Sequence, residues 1–437
     1  MYKRKIDSYL ADWKKKPNHK PLVIKGCRQC GKTSSVKDFA YRNYQNVIYM
    51  DFHEQKELRA LFDGSLQVDY LTMMISSSIP GAKFVPGKTC VIFDELQDCP
   101  GARASLKFWR QDGRYDVICT GSLLGVNGYG SDEDYSIPVG AEDIVDMFPM
   151  DFEEWLWANR MPHEAIEMLR IHLENETPVP EVLHNRMRAL FLQYVVVGGM
   201  PEAVRTFLDT HDVGQVADVQ RAIIEEYKSD MVKYAKSEDK VRIRECFESI
   251  PAQLSKENKK FQYCTVRKGG RSKEYVGSLQ WIEDAGIVRR CYNMSVLELP
   301  LEGNSIKDEF KVYMADTGLF VSMLEFGTQG DILQGNLMSY KGAIFENVMA
   351  DIFGKKNRKL YYYHKSDSIE LDFVIRYDGE CVPIECKART GRAKSMRTVL
   401  TNKDKYHITL GLKFGDYNVG RTDSLLTLPM YMAFLLN

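Results

Sequence analysis

The chain has 437 residues, of which 44% are hydrophobic and 27% are charged, and its formal net charge is −1. This composition predicts folded domains rather than disorder, and the length predicts about three of them. A net charge so close to zero excludes indiscriminate coating of nucleic acid by the whole surface, so any nucleic-acid contact must be local.

The sequence also indicates a compartment. No apolar stretch approaches the length of a membrane span, and the start, Met1-Tyr-Lys-Arg-Lys, has no apolar signal core behind it. Ten cysteines are scattered along the chain, a pattern typical of reduced thiols rather than of a disulfide framework. We therefore expect a cytoplasmic protein without a membrane partner.

The segment Gly26-Cys-Arg-Gln-Cys-Gly31-Lys32-Thr33 has the spacing of a phosphate-binding loop, G-x-x-x-x-G-K-[ST]. An apolar strand pattern precedes it and a helical pattern follows it, which is the context that this motif requires. Lys32 is expected to neutralise the β- and γ-phosphates and Thr33 to bind Mg²⁺, so the predicted cofactors are ATP and Mg²⁺. The residues expected to surround the nucleotide phosphates are Gly26, Cys27, Arg28, Gln29, Cys30, Gly31, Lys32, Thr33 and Ser34.

Two further strands are predicted to end at this site. The apolar run Thr89–Phe93 ends in Asp94 and Glu95. Asp94 is expected to contact the water shell of the Mg²⁺ ion, and Glu95 to orient or activate the attacking water. A strand near 116–121 ends in Thr120 and Ser122, where hydroxyl groups could sense the γ-phosphate or simply form a turn.

Strand patterns near 21–25, 46–51, 89–94 and 116–121 alternate with helical patterns over residues 1–147, which predicts a parallel-sheet nucleotide-binding domain. Residues 148–236 are predicted to be helical. Asp151 and Glu154 have the spacing of a capping box, and Gly198-Gly-Met-Pro201 ends one helix and starts another.

Residues 237–295 are predicted to form a winged helix-turn-helix, with a helix over 275–287 and a strand over 287–292. Glu257 is the one acidic residue of its basic segment, 256–273. This segment is expected to contact DNA or RNA phosphates or, in the alternative, to be a solvated charge run in a protein-contact module. The basic residues are Lys256, Lys259, Lys260, Arg267, Lys268, Arg271 and Lys273.

Residues 296–437 contain a predicted hairpin that turns at Asp378-Gly379. With a two-residue turn, paired residues have numbers that sum to 757, as 377 and 380 do. Asp372 then faces Glu385, and Glu370 faces Lys387, all on one face. The other face is predicted to carry Leu371, Phe373, Ile375, Ile384 and Cys386.

Two carboxylates that face each other repel unless a cation lies between them, which predicts a divalent metal at Asp372 and Glu385. Glu346, on a predicted amphipathic helix over 341–350, could complete the cluster. Lys387 could polarise a phosphate or orient a water, so Asp372, Glu385 and Lys387 are the predicted catalytic residues. The alternative is a surface hairpin with an ion pair between Glu370 and Lys387.

Together these motifs resemble the bacterial and archaeal ATP-binding proteins that combine an AAA-type ATPase domain with a C-terminal DUF4143 domain. The resemblance implies an α/β fold in which an AAA+-like P-loop domain precedes a helical lid, a winged helix and a C-terminal α/β domain similar to restriction endonucleases. The PD-(D/E)xK nuclease pattern would fall on Glu346, Asp372, Glu385 and Lys387. The motifs that carry the resemblance are the phosphate-binding loop and those at 93–95, 120–122, 149–154, 198–201, 316–319 and 341–347.

The resemblance also implies that Pro201 lies against the nucleotide base. Gly140-Ala141 stands where many relatives have a basic residue, so no arginine finger is assigned. The resulting hypothesis is an ATPase whose nucleotide state controls a winged helix and a metal-dependent nuclease-like domain that acts on nucleic acid. The alternatives are a non-cleaving switch that binds DNA or a protein, and a homo-oligomeric motor.

Overall fold

The computed structural model describes residues 2–123, 140–234, 239–256, 259–336, 340–366, 369–387 and 393–436. They divide into two compact units. The first unit contains residues 1–149 and 284–286, and the second contains residues 150–283 and 287–437. Within the described residues, no helix combines the length and the apolar character needed to cross a membrane.

A five-stranded parallel sheet forms the centre of the first unit, in the order β2-β3-β4-β1-β5. β4 lies between β3 and β1, the strand that precedes the phosphate-binding loop. The carboxyl ends of these three parallel strands therefore meet at one edge of the sheet. The strands are β1 (Leu22–Gly26), β2 (Asn46–Asp51), β3 (Thr89–Asp94), β4 (Asp116–Ser122) and β5 (Asp143–Asp146). The helices are Lys5–Lys15, Lys32–Asn43, Val68–Ser78 and Pro100–Asp112, and the 3₁₀ turns are Lys56–Phe62 and Leu96–Asp98.

The four strands predicted from apolar runs are all present. The prediction missed β5, because its sequence, Asp-Ile-Val-Asp, has just two apolar residues between two acids. β3 is buried at every position, as expected for a central parallel strand.

The second unit begins with helices, and two local predictions are confirmed there. Asp151 and Glu154 form the capping box, and Pro201 is the first residue of the helix that follows Gly198-Gly-Met. The helices before the second sheet are Phe152–Ala158, His163–Glu174, Glu181–Val197, Pro201–Thr210, Val213–Tyr234, Lys240–Leu254, Tyr263–Val266 and Ser272–Asp284.

An eight-stranded mixed sheet follows, in the order β12-β13-β11-β10-β9-β8-β6-β7. The strands are β6 (Val288–Met294), β7 (Ser305–Met314), β8 (Leu360–Ser366), β9 (Ile369–Tyr377), β10 (Glu380–Cys386), β11 (Gly411–Gly415), β12 (Gly420–Thr422) and β13 (Leu425–Pro429). The remaining helices are Thr317–Ser322, Thr328–Gln334, Lys341–Lys355, Lys394–Thr401 and Lys403–Tyr406, with 3₁₀ turns at Glu302–Asn304 and Met430–Leu435.

The segment predicted to be a winged helix, 237–295, has three helices followed by β6, which pairs with the later strand β7. β6 also pairs with β8, so the pair β6–β7 belongs to the large sheet, and a winged-helix role for this segment stays a prediction. The helix predicted over 275–287 runs from Ser272 to Asp284, and the strand predicted from residue 287 begins at Val288.

The hairpin register is confirmed. Glu380 pairs with Tyr377 and Ile384 with Phe373, and the numbers of both pairs sum to 757. Asp378 and Gly379 both have positive φ, 48° and 83°, as a two-residue hairpin turn requires.

The predicted assignment of faces was wrong at one point. The pairing of β9 with β8 shifts by one residue between Tyr361 and Tyr363, an irregularity that interrupts the strict alternation along β9. Leu371 therefore lies in one cluster with Val374. The Phe373 ring instead lies against Tyr313 and Phe353, on the side of the helix Lys341–Lys355.

Candidate nucleotide and metal sites

The phosphate-binding loop connects β1 to the helix Lys32–Asn43. Gly31 caps this helix in the left-handed region, with φ 100°, a conformation that favours glycine. The Lys32 ammonium group donates to the carbonyl oxygens of Gly26 and Cys27 at 3.0 and 2.8 Å. Lys32 is therefore held over the loop, where its charge can reach a bound phosphate.

Asp94 is the centre of the hydrogen-bond network at the end of β3. Its Oδ1 accepts from the hydroxyl groups of Thr33, at 3.0 Å, and Thr120. Its Oδ2 accepts from Tyr49 at 2.7 Å. A hydroxyl and a carboxylate oxygen in contact are hard donors that suit Mg²⁺, so Thr33 and Asp94 fit the predicted metal.

Glu95 and Ser122 lie at the same edge. Glu95 has a positive φ of 52°, and its carboxylate accepts from the Gln97 side chain. The Oε1 atom of Gln97 in turn accepts from the backbone N–H of Ser122 at 3.2 Å. Sequence reasoning missed Gln97 and Tyr49. Gln97 lies three residues after Asp94, and Tyr49 lies two residues before the end of β2. This position near the end of a predicted strand is the signal that could have identified them.

The loop is supported from behind by residues that sequence reasoning also missed. Arg4, which is 5% exposed, donates to the carbonyl oxygens of Cys30 at 2.9 Å and of Phe148 at 2.7 Å. A Cβ atom on Gly26 would lie 2.2 Å from the carbonyl oxygen of Met147, so no other residue fits there. No sequence motif marks Arg4.

The cysteine pair of the loop is buried. The pKa of Cys30 is lowered to about 6, mainly by a hydrogen bond with Cys27. Burial raises this pKa, whereas the positive charges of Lys32 and Arg4 lower it further. Arg28, Gln29 and Ser34 lie on the more exposed side of the loop.

Pro201 belongs to the second unit. There, Gly199 donates to Asp316 at 2.7 Å, and its carbonyl oxygen accepts from the N–H of Met150 at 2.7 Å. These two hydrogen bonds of Gly199 give the Gly-Gly sequence a structural role within the second unit. A contact of Pro201 with a nucleotide base stays a prediction.

Glu346 is buried on the helix Lys341–Lys355. Its carboxylate pairs with Lys259, accepts from the Tyr313 hydroxyl at 3.0 Å, and lies 3.7 Å from the Lys311 ammonium group. Burial alone would raise the pKa of Glu346, but the charges of Lys259 and Lys311 lower it below its ordinary value.

Asp372 accepts from the backbone N–H of Cys386 at 2.7 Å, which places it beside β10 as the register predicts. The pKa of Asp372 is raised to about 7, mainly by burial and secondly by the negative charge of Glu346. Glu385 is buried, and its Oε2 atom is a buried oxygen without a hydrogen-bond partner among the residues that the structure describes. An unpartnered carboxylate oxygen near a second carboxylate is a position that a cation can satisfy.

Lys387 lies 2.5 Å from Glu385. Against the effect of burial, this hydrogen bond raises the pKa of Lys387. The ion pair of the alternative, between Glu370 and Lys387, is replaced by two others, because Glu370 accepts from Lys311 at 2.7 Å and Lys387 pairs with Glu385. Lys311, on the edge strand β7, is buried and reaches both Glu346 and Glu370.

Within the described ranges, no group of three or more His, Cys, Asp or Glu side chains has the arrangement of a metal site. Lys259 contacts Glu346, so in this structure ammonium groups neutralise that carboxylate. The donor types of Glu346, Asp372 and Glu385 suit a hard divalent cation, and the assignment of a metal to them stays a prediction.

The basic segment divides into two parts. Lys259 and Lys260 form ion pairs with Glu346 and Glu309, and Lys256 donates to Gln262 and Thr265. The remaining basic side chains of the segment are exposed and can contact phosphates. They are Arg267, Lys268, Arg271 and Lys273.

Three family models match parts of the chain. Residues 18–156 match AAA_14, described as an AAA domain. Residues 188–330 match DUF8612 and residues 341–431 match DUF4143, both described as domains of unknown function.

The chain is similar to several solved structures at low identity. The Walker-type ATPase PABY2304 of Pyrococcus abyssi is 14% identical, with 74% of this chain and 96% of that chain covered and a TM-score of 0.41. The Aeropyrum pernix ORC2 protein in its ADPNP-ADP complexes is 12% identical, with coverages of 75% and 93% and a TM-score of 0.37. At such TM-scores the likenesses support no argument about function. No curated protein matches the chain.

The AAA domain match covers the phosphate-binding loop, Asp94, Glu95 and all five strands of the first sheet. The chain therefore contains an AAA_14-type ATPase domain, followed by regions that match DUF8612 and DUF4143.

Proposed function

We propose that this protein is a Mg²⁺-dependent ATPase whose nucleotide state controls a winged-helix module and a metal-dependent, nuclease-like C-terminal region that acts on nucleic acid. The observation that carries the ATPase part is the 3.0 Å contact of Thr33 with Asp94 beside the phosphate-binding loop. In this proposal Lys32 and the loop amides hold the phosphates, and Thr33 and Asp94 hold Mg²⁺. Glu95 orients the attacking water, and Thr120 and Ser122 detect the γ-phosphate.

The nucleotide site is tested by replacing Lys32. Lys32→Ala should weaken Mg²⁺-ATP binding by at least about tenfold in calorimetry, since charge-assisted hydrogen bonds contribute about 1.5–3 kcal/mol. Arg42→Ala removes a cation from the far end of the same helix, where Arg42 pairs with Asp38, and serves as the control. Equal ATP affinity in both variants would refute the assignment.

The nuclease-like part of the proposal is supported by the cluster of Glu346, Asp372 and Glu385 with Lys387 close to Glu385. These carboxylates would hold a divalent cation, which would supply a Lewis acid for phosphodiester hydrolysis. Lys387 would bind the scissile phosphate or orient a water. Exposed cations at 267–273 would bind the nucleic-acid backbone.

A second candidate function is a non-cleaving switch that binds DNA or a protein partner. The pairing of Lys259 with Glu346 favours it, because an ammonium group that stays on this carboxylate leaves little for a metal to neutralise.

Metal binding separates the two candidates. In the full-length Lys32→Ala protein, Mn²⁺ should raise the melting temperature, and Asp372→Asn should remove that rise together with any Mn²⁺-dependent cutting of DNA or RNA. Asp308→Asn, which changes an exposed carboxylate of β7, is the control. A melting temperature that does not respond to Mn²⁺ would favour the switch.

A further inference from the structure

The second unit contains a cavity of about 270 Å³ that lies outside the phosphate-binding loop and shares Lys387 with the proposed nuclease-like site. It lies among the helix Glu181–Val197, the start of the helix Lys341–Lys355, and the segments that follow β10, β11 and β13. Its volume is just below the roughly 300–1,000 Å³ typical of small-molecule sites, so it suits one small ligand.

The walls of the cavity are largely apolar and include three aromatic rings, those of Phe191, Phe345 and Tyr431. Phe191 and Tyr431 are buried, whereas Phe345 is half-buried. Aromatic rings in a concave site bind flat, conjugated ligands, and nucleic-acid bases stack on them whatever their sequence.

The charged residues of the lining are three cations and one carboxylate. Arg188 is paired with the carboxylate, Asp416, at 2.5 Å, and Lys387 is paired with Glu385. Lys341 forms no ion pair with any side chain that the structure describes, and its ammonium group lies 5.9 Å from the centre of the Phe345 ring. A cavity with this surplus of positive charge selects an anion.

We propose that this cavity binds one nucleotide unit, with the base against Phe345 and the phosphate at Lys341. The ligand chemistry is a nucleobase that carries a phosphate, and two sources can supply it: a free mononucleotide, or the phosphorylated end of a single strand. Because Lys387 also lines the cavity, a strand end held there would lie next to the proposed cleavage site. Binding itself requires neither cleavage nor the phosphate-binding loop.

Calorimetry on the full-length Lys32→Ala protein in EDTA tests this site without interference from the ATP site. The probes are AMP, a 5′-phosphorylated tetrathymidylate, and ribose 5-phosphate, which has no base. We expect AMP or the tetranucleotide to bind, and ribose 5-phosphate to bind at least about tenfold more weakly. Tighter binding of AMP would indicate the free nucleotide, and tighter binding of the tetranucleotide would indicate the strand end.

Two variants link this binding to the cavity. Lys341→Glu should weaken it by about tenfold or more, whereas Lys403→Glu reverses an exposed charge outside the lining and should leave it unchanged. Phe345→Leu keeps an apolar side chain in place and should also weaken it. Asp372→Asn should leave AMP binding intact, which separates this site from the proposed nuclease function. The proposal is overturned if neither nucleotide binds, or if Lys341→Glu and Lys403→Glu behave alike.

Discussion

Arg4 is the clearest case of a single residue that prepares the nucleotide site without belonging to the motif. Its guanidinium group joins the carbonyl oxygen of Cys30, inside the loop, to that of Phe148, at the end of the first unit. A charged group that is buried and bonded in this way holds both segments in place, and its removal leaves both carbonyl oxygens without these donors.

We predict that Arg4→Met weakens Mg²⁺-ATP binding although the residue does not reach the phosphates. The expected loss is about tenfold in affinity, since two charge-assisted hydrogen bonds disappear and the loop loses its support. Calorimetry measures the affinity, and circular dichroism at the same temperature checks that the variant is folded. Lys5→Met, which changes the exposed neighbouring residue, is the control. Wild-type affinity in a folded Arg4→Met protein would contradict the role of Arg4.

Lys259 is the residue on which the two candidate functions differ most. Its ammonium group contacts Glu346, where the nuclease hypothesis requires a metal ion. We predict that Lys259→Met increases the rise in melting temperature caused by Mn²⁺, because the carboxylate then lacks one of its cations.

The neighbouring lysine provides a matched control for this prediction. Lys260→Met breaks a comparable ion pair, with Glu309, away from the cluster, and should not change the response to Mn²⁺. If both variants respond to Mn²⁺ as the wild type does, Glu346 is not a metal ligand.

At the scale of secondary-structure elements, a buried network joins several segments of the second unit. Lys355, at the end of its helix, lies 2.8 Å from Asp351 and 3.5 Å from Asp316, and donates to the Tyr194 hydroxyl at 3.0 Å. Asp316 also caps the helix Thr317–Ser322 and accepts from Gly199. Motifs that are distant in sequence, at 198–201 and 316–319, are therefore in contact.

We predict that Gly199→Ala strongly destabilises the protein. Its Cβ atom would lie 2.0 Å from the carbonyl oxygen of Met150, so the backbone would have to move. Overpacking of this kind costs at least about 1–3 kcal/mol. Thermal and urea unfolding should show a clear fall in both midpoints.

Gly277→Ala is the matched control for this glycine. It lies in the helix Ser272–Asp284 with no atom within 4 Å of the added carbon. Alanine should stabilise that helix by about 0.5–1 kcal/mol. Equal effects of the two substitutions would show that the contact with Met150 is not tight.

Local patterns predicted the hairpin of the second unit well, because the Asp378-Gly379 turn fixes the register for the next five residue pairs. They failed at the irregularity of β9, which depends on how β8 pairs with it and leaves no mark in the sequence. Local patterns also suggested Lys387 as the ion-pair partner of Glu370, whereas Glu370 contacts Lys311, a residue of a strand about 60 positions earlier. Such a contact depends on the tertiary structure, because β8 and β6 lie between β9 and β7 in the sheet.

At the scale of the whole molecule, the sequence predicted the phosphate-binding loop and the carboxylates of β3 because short motifs specify both. The position of β4 between β1 and β3 brings Thr120 to Asp94, and this strand order is known from the structure and not from the motifs. Likewise, the sequence identified seven basic residues in one segment, but tertiary packing determines that four of them are exposed.

The proposed function depends most on Mg²⁺-dependent hydrolysis of ATP at Asp94 and Glu95. The most direct measurement is single-turnover hydrolysis of ATP by the wild type and by Glu95→Gln, with Glu57→Gln as a control at an exposed carboxylate of the same unit. We predict hydrolysis by the wild type in Mg²⁺ but not in EDTA, and unchanged hydrolysis by the control. Glu95→Gln should bind ATP normally and hydrolyse it at least about 100-fold more slowly, as expected when a general base is lost. Hydrolysis by Glu95→Gln at the wild-type rate, or no Mg²⁺-dependent hydrolysis by the wild type, would contradict the proposed ATPase function.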